Sequence, residues 1–287
     1  VFGFRRDSQN IVGTYPHAQP SGQVPTPPRW RVVLLAPLDS PAAASGLHRL
    51  TGQQHLALLA RIAAFGLLAL LNLLLLLESS QARWWYAQAM PVAALLLVLL
   101  PLLLPAAPQQ ASTRATSTTG ALAVLLSAAP RLRVLRSIEL WVVALGATTT
   151  GSSGLHDLFT RYPFSKESTL VIALDKVGSG QLTYASREGM LQQWCADSLL
   201  LQSAAAMNAR YPVIDAVPRP YRAASSIAAP LHRQGYRVLT LISDDEAPRT
   251  HAAGSSPVEG EYVDYQAVAR AVRLVVGIVQ NLDDEVA

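Results

Sequence analysis

The chain has 287 residues, with 23 Lys and Arg against 19 Asp and Glu, a formal net charge of +4, and 51% hydrophobic residues. Its single cysteine, Cys195, excludes an intrachain disulfide and any cysteine-based metal cluster. The basic excess is modest, and no basic stripe is interleaved with aromatics, which excludes nucleic acid as a partner. The chain begins at Val1 with neither an initiator Met nor a signal-peptide pattern, so a natural N-terminal part is expected to precede it.

Residues 9–15 (QNIVGTY) read as a short strand, followed by a Pro- and Gly-rich loop over 16–28. Residues 30–36 (WRVVLLA) form a continuous apolar run with β-branched members, the pattern of a strand buried on both faces. A polar, small-residue linker over 41–54 then leads into two greasy stretches, 56–77 and 90–107, separated by a turn bearing Trp84, Trp85 and Tyr86. A bilayer core of about 30 Å takes roughly 20 apolar residues per helix. Both stretches approach that length, and aromatics at the turn suit the membrane interface. The expectation is a two-helix transmembrane hairpin over residues 56–107. The alternative is a pair of helices buried in a large core, for which the rest of the chain offers little room. Arg61 lies one turn into the first helix and can snorkel to the interface. Gly66 and Asn72 offer a face for close packing against another membrane helix. Pro101 is expected to kink the second helix.

A second linker, 108–119, brackets the hairpin as an insertion into a soluble domain made of residues 1–55 and 108–287. Helices are expected over 120–129, 153–162, 191–208, 225–234 and 263–282, the fourth ended by Gly235. Strands are expected over 139–145, 169–174 and 236–243. Strands alternating with helices point to an α/β fold with a mostly parallel sheet covered by helices. Arg131, Arg133 and Arg136 form the tightest basic cluster. They read either as a solvated helix end or as a contact with anionic lipid headgroups.

Four segments carry a resemblance. They are VVLLAPLDS at 32–40, ATSTTGALAVLL at 115–126, ELWVVALGATTTG at 139–151 and VIALDKVGSG at 171–180. In order and glycine placement they resemble the zinc-dependent two-metal aminopeptidase family, whose superfamily includes glutaminyl cyclases and nicastrin. The resemblance implies that the family's first metal-binding His falls on Pro37, the metal-bridging Asp on Thr116, and the adjacent Glu pair, base then ligand, on Thr148 and Thr149. It implies vestigial metal-site positions at Asp175 and His251, and at Asp39, which in the family supports the first His. A catalytic zinc needs about three protein ligands and an open position for water, and threonine does not titrate near neutral pH to act as the base. The chain is therefore expected to be a pseudoenzyme with no catalytic residues, no metal and no cofactor.

Other features carry less. Ser243, Asp244, Asp245 and Glu246 read as a solvated acidic loop or a hard-cation site. Gly178-Ser179-Gly180 reads as a turn, and His156 as a solvent-facing residue of a surface helix. The resulting expectation is a membrane-anchored accessory or scaffold subunit, in contact with membrane lipid and with membrane-protein partner subunits. A membrane-bound aminopeptidase with a metal site rebuilt from His251, Asp175, Asp39 and residues 244–246 is one alternative. A peptide- or lipid-binding module using the vacated cleft is another. Arg49, Arg61 and Arg114 on the domain side, against Arg83 in the turn, place the soluble domain on the cytoplasmic face.

Overall fold

The computed structural model describes residues 9–18, 27–39, 66, 109–148, 152–189, 192–222, 226–244 and 263–285, with side chains in the first helix from Thr118 onward. The chain divides into two compact units, one of Val1–Pro41 with Ser112–Ala287 and one of Ala42–Ala111. Apart from helical Gly66, the expected hairpin over 56–107 lies outside the described residues. Among the described residues no helix is long and apolar enough to cross a membrane.

The larger unit is built on strands β1 (Ile11–Tyr15), β2 (Trp30–Pro37), β3 (Ile138–Leu145), β4 (Thr169–Lys176), β5 (Gln181–Glu188), β6 (Trp194–Cys195), β7 (Val217–Tyr221) and β8 (Arg237–Asp244). They form one sheet in the order β1-β3-β2-β4-β8-β5-β6, with β7 paired to β5. The centre is parallel: β2 pairs β3 and β4, and β4 pairs β8. The margins are not. β1 runs antiparallel to β3, and β5 runs antiparallel to β8 and β6, while edge strand β7 is parallel to β5. The sheet is thus mixed rather than mostly parallel. The strands that correct the sequence expectation, β5 to β7, are those in which polar residues and prolines interrupt the apolar run. β7, with Pro218 and Pro220, sits at an edge, where a missing N–H breaks no ladder.

Helices α1 (Gln109–Ala128), α3 (Ser198–Arg210) and α5 (Tyr265–Asp284) cover one face; α2 (Ser153–Arg161) and α4 (Ala229–Gln234) cover the other. Alternation along β2 divides its side chains. Val32, Leu34 and Ala36 enter the larger core with α1, α3 and α5, while Val33 and Leu35 enter the smaller one with Leu155, Leu158 and Leu231. Two-sided burial is why these strands read as unbroken apolar runs.

Helix starts follow their caps. The Asp197 carboxylate accepts from Leu199 N and Leu200 N, so α3 begins at Ser198, and the residues expected as its first turn instead contain the short strand β6. The Asp264 carboxylate accepts from Gln266 N at the start of α5. At the far end of α5, buried Asp283 accepts from Arg136 N and Ser137 N at 2.8 Å each, which ties that helix to the entry of β3. The α1 backbone is helical from Gln109, so the expected linker 108–119 is mostly helix.

Candidate functional site

In open α/β sheets, ligands bind at the carboxyl ends of the parallel strands. Here that edge is formed by Pro37 after β2, residues 146–148 after β3, and Asp175 near the end of β4. Pro37 is buried and paired in register with Leu145. It supplies no donor atom where the resemblance would place an imidazole. Two residues back, Leu35 is paired with Ala173, so Pro37 and Asp175 lie at the same end of the neighbouring strands β2 and β4.

The loop after β3 closes on Asp39. The Asp39 carboxylate oxygen Oδ1 accepts from Thr148 N at 3.0 Å and from Thr148 Oγ1 at 2.6 Å. Thr148 stands where the family's general base is expected. Its hydroxyl, unlike an ionised carboxylate, can donate, and it holds Asp39 as a donor. The backbone around it is unusual: Ala147 and Ser152 are both left-handed, with φ of 49° and 59°. Non-glycine residues reach that region only where the surroundings hold them there. Asn10 on the β1 side braces the same loop, accepting from Gly146 N at 3.0 Å and donating to Gly154 O at 2.7 Å.

Asp175 is the extra residue of a bulge, because the β4–β8 register shifts between Leu174 and Lys176. A bulge re-aims a side chain, and here the carboxylate meets β7. Tyr221 donates its hydroxyl to Asp175 Oδ2 at 2.8 Å. Burial raises the Asp175 carboxyl above its ordinary range, against the opposing pull of Lys176 and the Tyr221 hydrogen bond. Burial, then the charge of Asp175, pushes the Tyr221 phenol well above its ordinary value. A buried carboxyl group whose charged form is penalised by burial and which already accepts a phenol is a poor lone ligand for a dication.

Beside it lies a cluster that sequence reasoning missed. A second irregularity, between Ala185 and Arg187 of β5, precedes Glu188, whose register partner on β7 is Tyr221. Glu188 Oε2 accepts from Thr240 Oγ1 at 2.6 Å and lies 3.3 Å from His232 Nε2. The His232 and Glu188 side chains are only 4% and 2% exposed. The His232 ring stacks on Trp194 at 6.3 Å with an 8° interplanar angle. Glu188 Oε1 is buried without a hydrogen bond. The available signal was a His inside the apolar turn APLHRQ and a Glu ending an alternating segment.

The structure therefore joins Asp39 to Thr148 and places Pro37 and Asp175 on the same strand edge. The backbone of Thr116 is helical, but its side chain, Thr149, His251, Asn72 and residues 245–246 lie outside the described residues. Gly66 is exposed, and a Cβ there would meet nothing within 4 Å. His156 is exposed on α2. Gly178, Ser179 and Gly180 form the turn between β4 and β5, held by Asp264 N and Arg270 Nη2, which donate to Gly178 O and Gly180 O. Among the described residues no group of three or more His, Cys, Asp or Glu could hold a metal ion. The described donors do not fit a two-zinc centre.

No protein-family model and no curated protein matches the chain. Among solved structures, it is similar to a zinc aminopeptidase from Bacillus subtilis, with a TM-score of 0.53 and 15% identity over 95% of this chain and 49% of that one. It is also similar to an aminopeptidase from Aneurinibacillus sp. strain AM-1, with a TM-score of 0.52 and 14% identity over 94% of this chain and 47% of that one. The chain spans about half the length of these structures. At such identity the likeness is one of architecture, and the architecture is that of the zinc aminopeptidases.

Proposed function

We propose that the chain is a non-catalytic relative of the zinc aminopeptidases that serves as an accessory or scaffold subunit of a membrane assembly. Residues 56–107 anchor it as a hairpin, with the folded domain on the cytoplasmic face. The observation that carries the non-catalytic reading is the Asp39–Thr148 contact. The aspartate bonds a threonine N–H and hydroxyl, and Pro37 beside it is a buried strand residue without a donor. The strand edge keeps its backbone form while its polar groups satisfy one another. The membrane reading rests on the apolar stretches 56–77 and 90–107 and the aromatic turn between them.

Elemental analysis of the full-length chain purified in mild detergent tests the first part. The expected result is no stoichiometric zinc and no release of N-terminal residues from peptide substrates after zinc is added. Close to two zinc ions per chain, lost together with turnover on chelation, would replace this reading with a rebuilt metallopeptidase site. Migration with a membrane partner across several solubilisation conditions tests the second part, and migration alone in all of them would remove it.

A further inference from the structure

On the outer surface of the helices that cover the larger core, a groove of about 330 Å³ lies between α5 and the turns after α1 and α3. Its walls are apolar. Tyr211 and Val213 come from the turn after α3, and Val276 with Gly277 from α5. Val213 is 58% exposed and Tyr211 46%, and they stand side by side on one wall of the groove. Arg131 and Arg273 line the groove as well, and a third arginine, Arg210, lies over the ring of Tyr211 at 5.5 Å. All three arginines are exposed, and among the described residues none forms an ion pair.

An apolar trough edged by unpaired guanidinium groups is complementary to an apolar ridge edged by carboxylates. We infer that this groove docks an acidic amphipathic segment of a partner protein, with apolar side chains against Tyr211, Val213 and Val276 and carboxylates reaching Arg131, Arg210 and Arg273. The apolar surface between the arginines calls for a ridge of side chains rather than a headgroup alone, and anionic lipid is the competing outcome of the test. The inference rests on the accessory-subunit reading for its role. Peptide binding is nevertheless read without reference to zinc or turnover, so either idea can fail alone.

The test uses full-length protein in mild detergent and a fluorescent synthetic helix with Leu on one face and Glu flanking it. A peptide with Lys replacing every Glu is the control, and soluble dihexanoyl-phosphatidylserine is the lipid probe. Wild type should bind the Glu peptide in a salt-sensitive manner. The double variant Arg131→Glu/Arg273→Glu should bind it at least tenfold more weakly, and Val213→Asp should also weaken it. All three sites are exposed, so unchanged circular dichroism and thermal unfolding will show that the fold is kept. No binding of the Glu peptide, equal binding of the Lys peptide, or indifference to the arginine reversals overturns the inference. So does arginine-dependent binding of the lipid probe alone, which would assign the groove to headgroups.

Discussion

His232→Leu keeps an apolar volume under Trp194 and removes one of the two polar neighbours of the buried Glu188 Oε2. In the native protein Glu188 Oε2 has two neighbours, Thr240 Oγ1 at 2.6 Å and His232 Nε2 at 3.3 Å, while Oε1 has no hydrogen bond. With side chains 4% and 2% exposed, neither residue can turn to water. Losing the imidazole leaves the buried Glu188 side chain with Thr240 as its remaining polar neighbour. Leaving a buried polar group short of a partner costs about 1–3 kcal/mol. With a urea slope of about 2 kcal/mol per M, the midpoint should fall by roughly 1 M. Urea unfolding in constant mild detergent, followed by tryptophan fluorescence, measures this. Adding Glu188→Gln to His232→Leu removes the carboxyl group that lost its partner, so the double variant should recover about 0.5 kcal/mol or more relative to additivity. A loss under about 1 kcal/mol for His232→Leu, or strictly additive effects, would show that the two residues are neighbours without being partners. A similar cost for Trp194→Ala alone would not bear on this, because the cycle isolates the Glu188–His232 term.

Three further outcomes are expected. Gly120→Ala drives a Cβ into the carbonyl oxygen of Val177. Because the obstacle is backbone, the change should destabilise by about 1–3 kcal/mol or more; a variant as stable as wild type would mean that α1 does not pack on the end of β4 so closely. Burial raises the folded-state value of Asp175 above its ordinary 3.8. Between 3.8 and the raised value the folded chain holds the proton that the unfolded chain has lost, so wild-type stability falls across that window. Asp175→Asn lacks that loss and can still accept from Tyr221, so its stability relative to wild type should rise with pH from about 3.8 and then level off. A flat or falling difference in pH-dependent unfolding would contradict the assignment. Finally, wild type should remain in the membrane pellet after a carbonate wash, and replacing residues 56–107 with a short Gly/Ser bridge should release a soluble domain. A full-length chain that is monodisperse without detergent would end the anchoring proposal.

Much of the architecture was legible in the residues themselves. Continuous apolar runs rich in β-branched residues, such as WRVVLLA and TLVIAL, read as strands buried on both faces, and β2 and β4 are the centre of the sheet. The amphipathic period of the last helix named the valines that α5 buries, such as Val272, Val275 and Val279. The absence of an imidazole at 37 and of a carboxylate at 148 could be read directly, because no fold can restore a missing functional group. What the residues could not disclose are the events that depend on strands far apart in sequence. β5 (QLTYASRE) carries polar residues along its length and becomes a core strand because β8 and β7 pair with it on either side. Bulges at Asp175 and before Glu188 turn two carboxylates toward Tyr221 and His232. A shift of one residue in register reverses the face of every side chain beyond it, and no local pattern records that shift. The pairing of Asp39 with Thr148, 109 residues later, is of the same kind. Hydrogen-bond partners are chosen by proximity, and proximity between distant segments exists only once the sheet has formed.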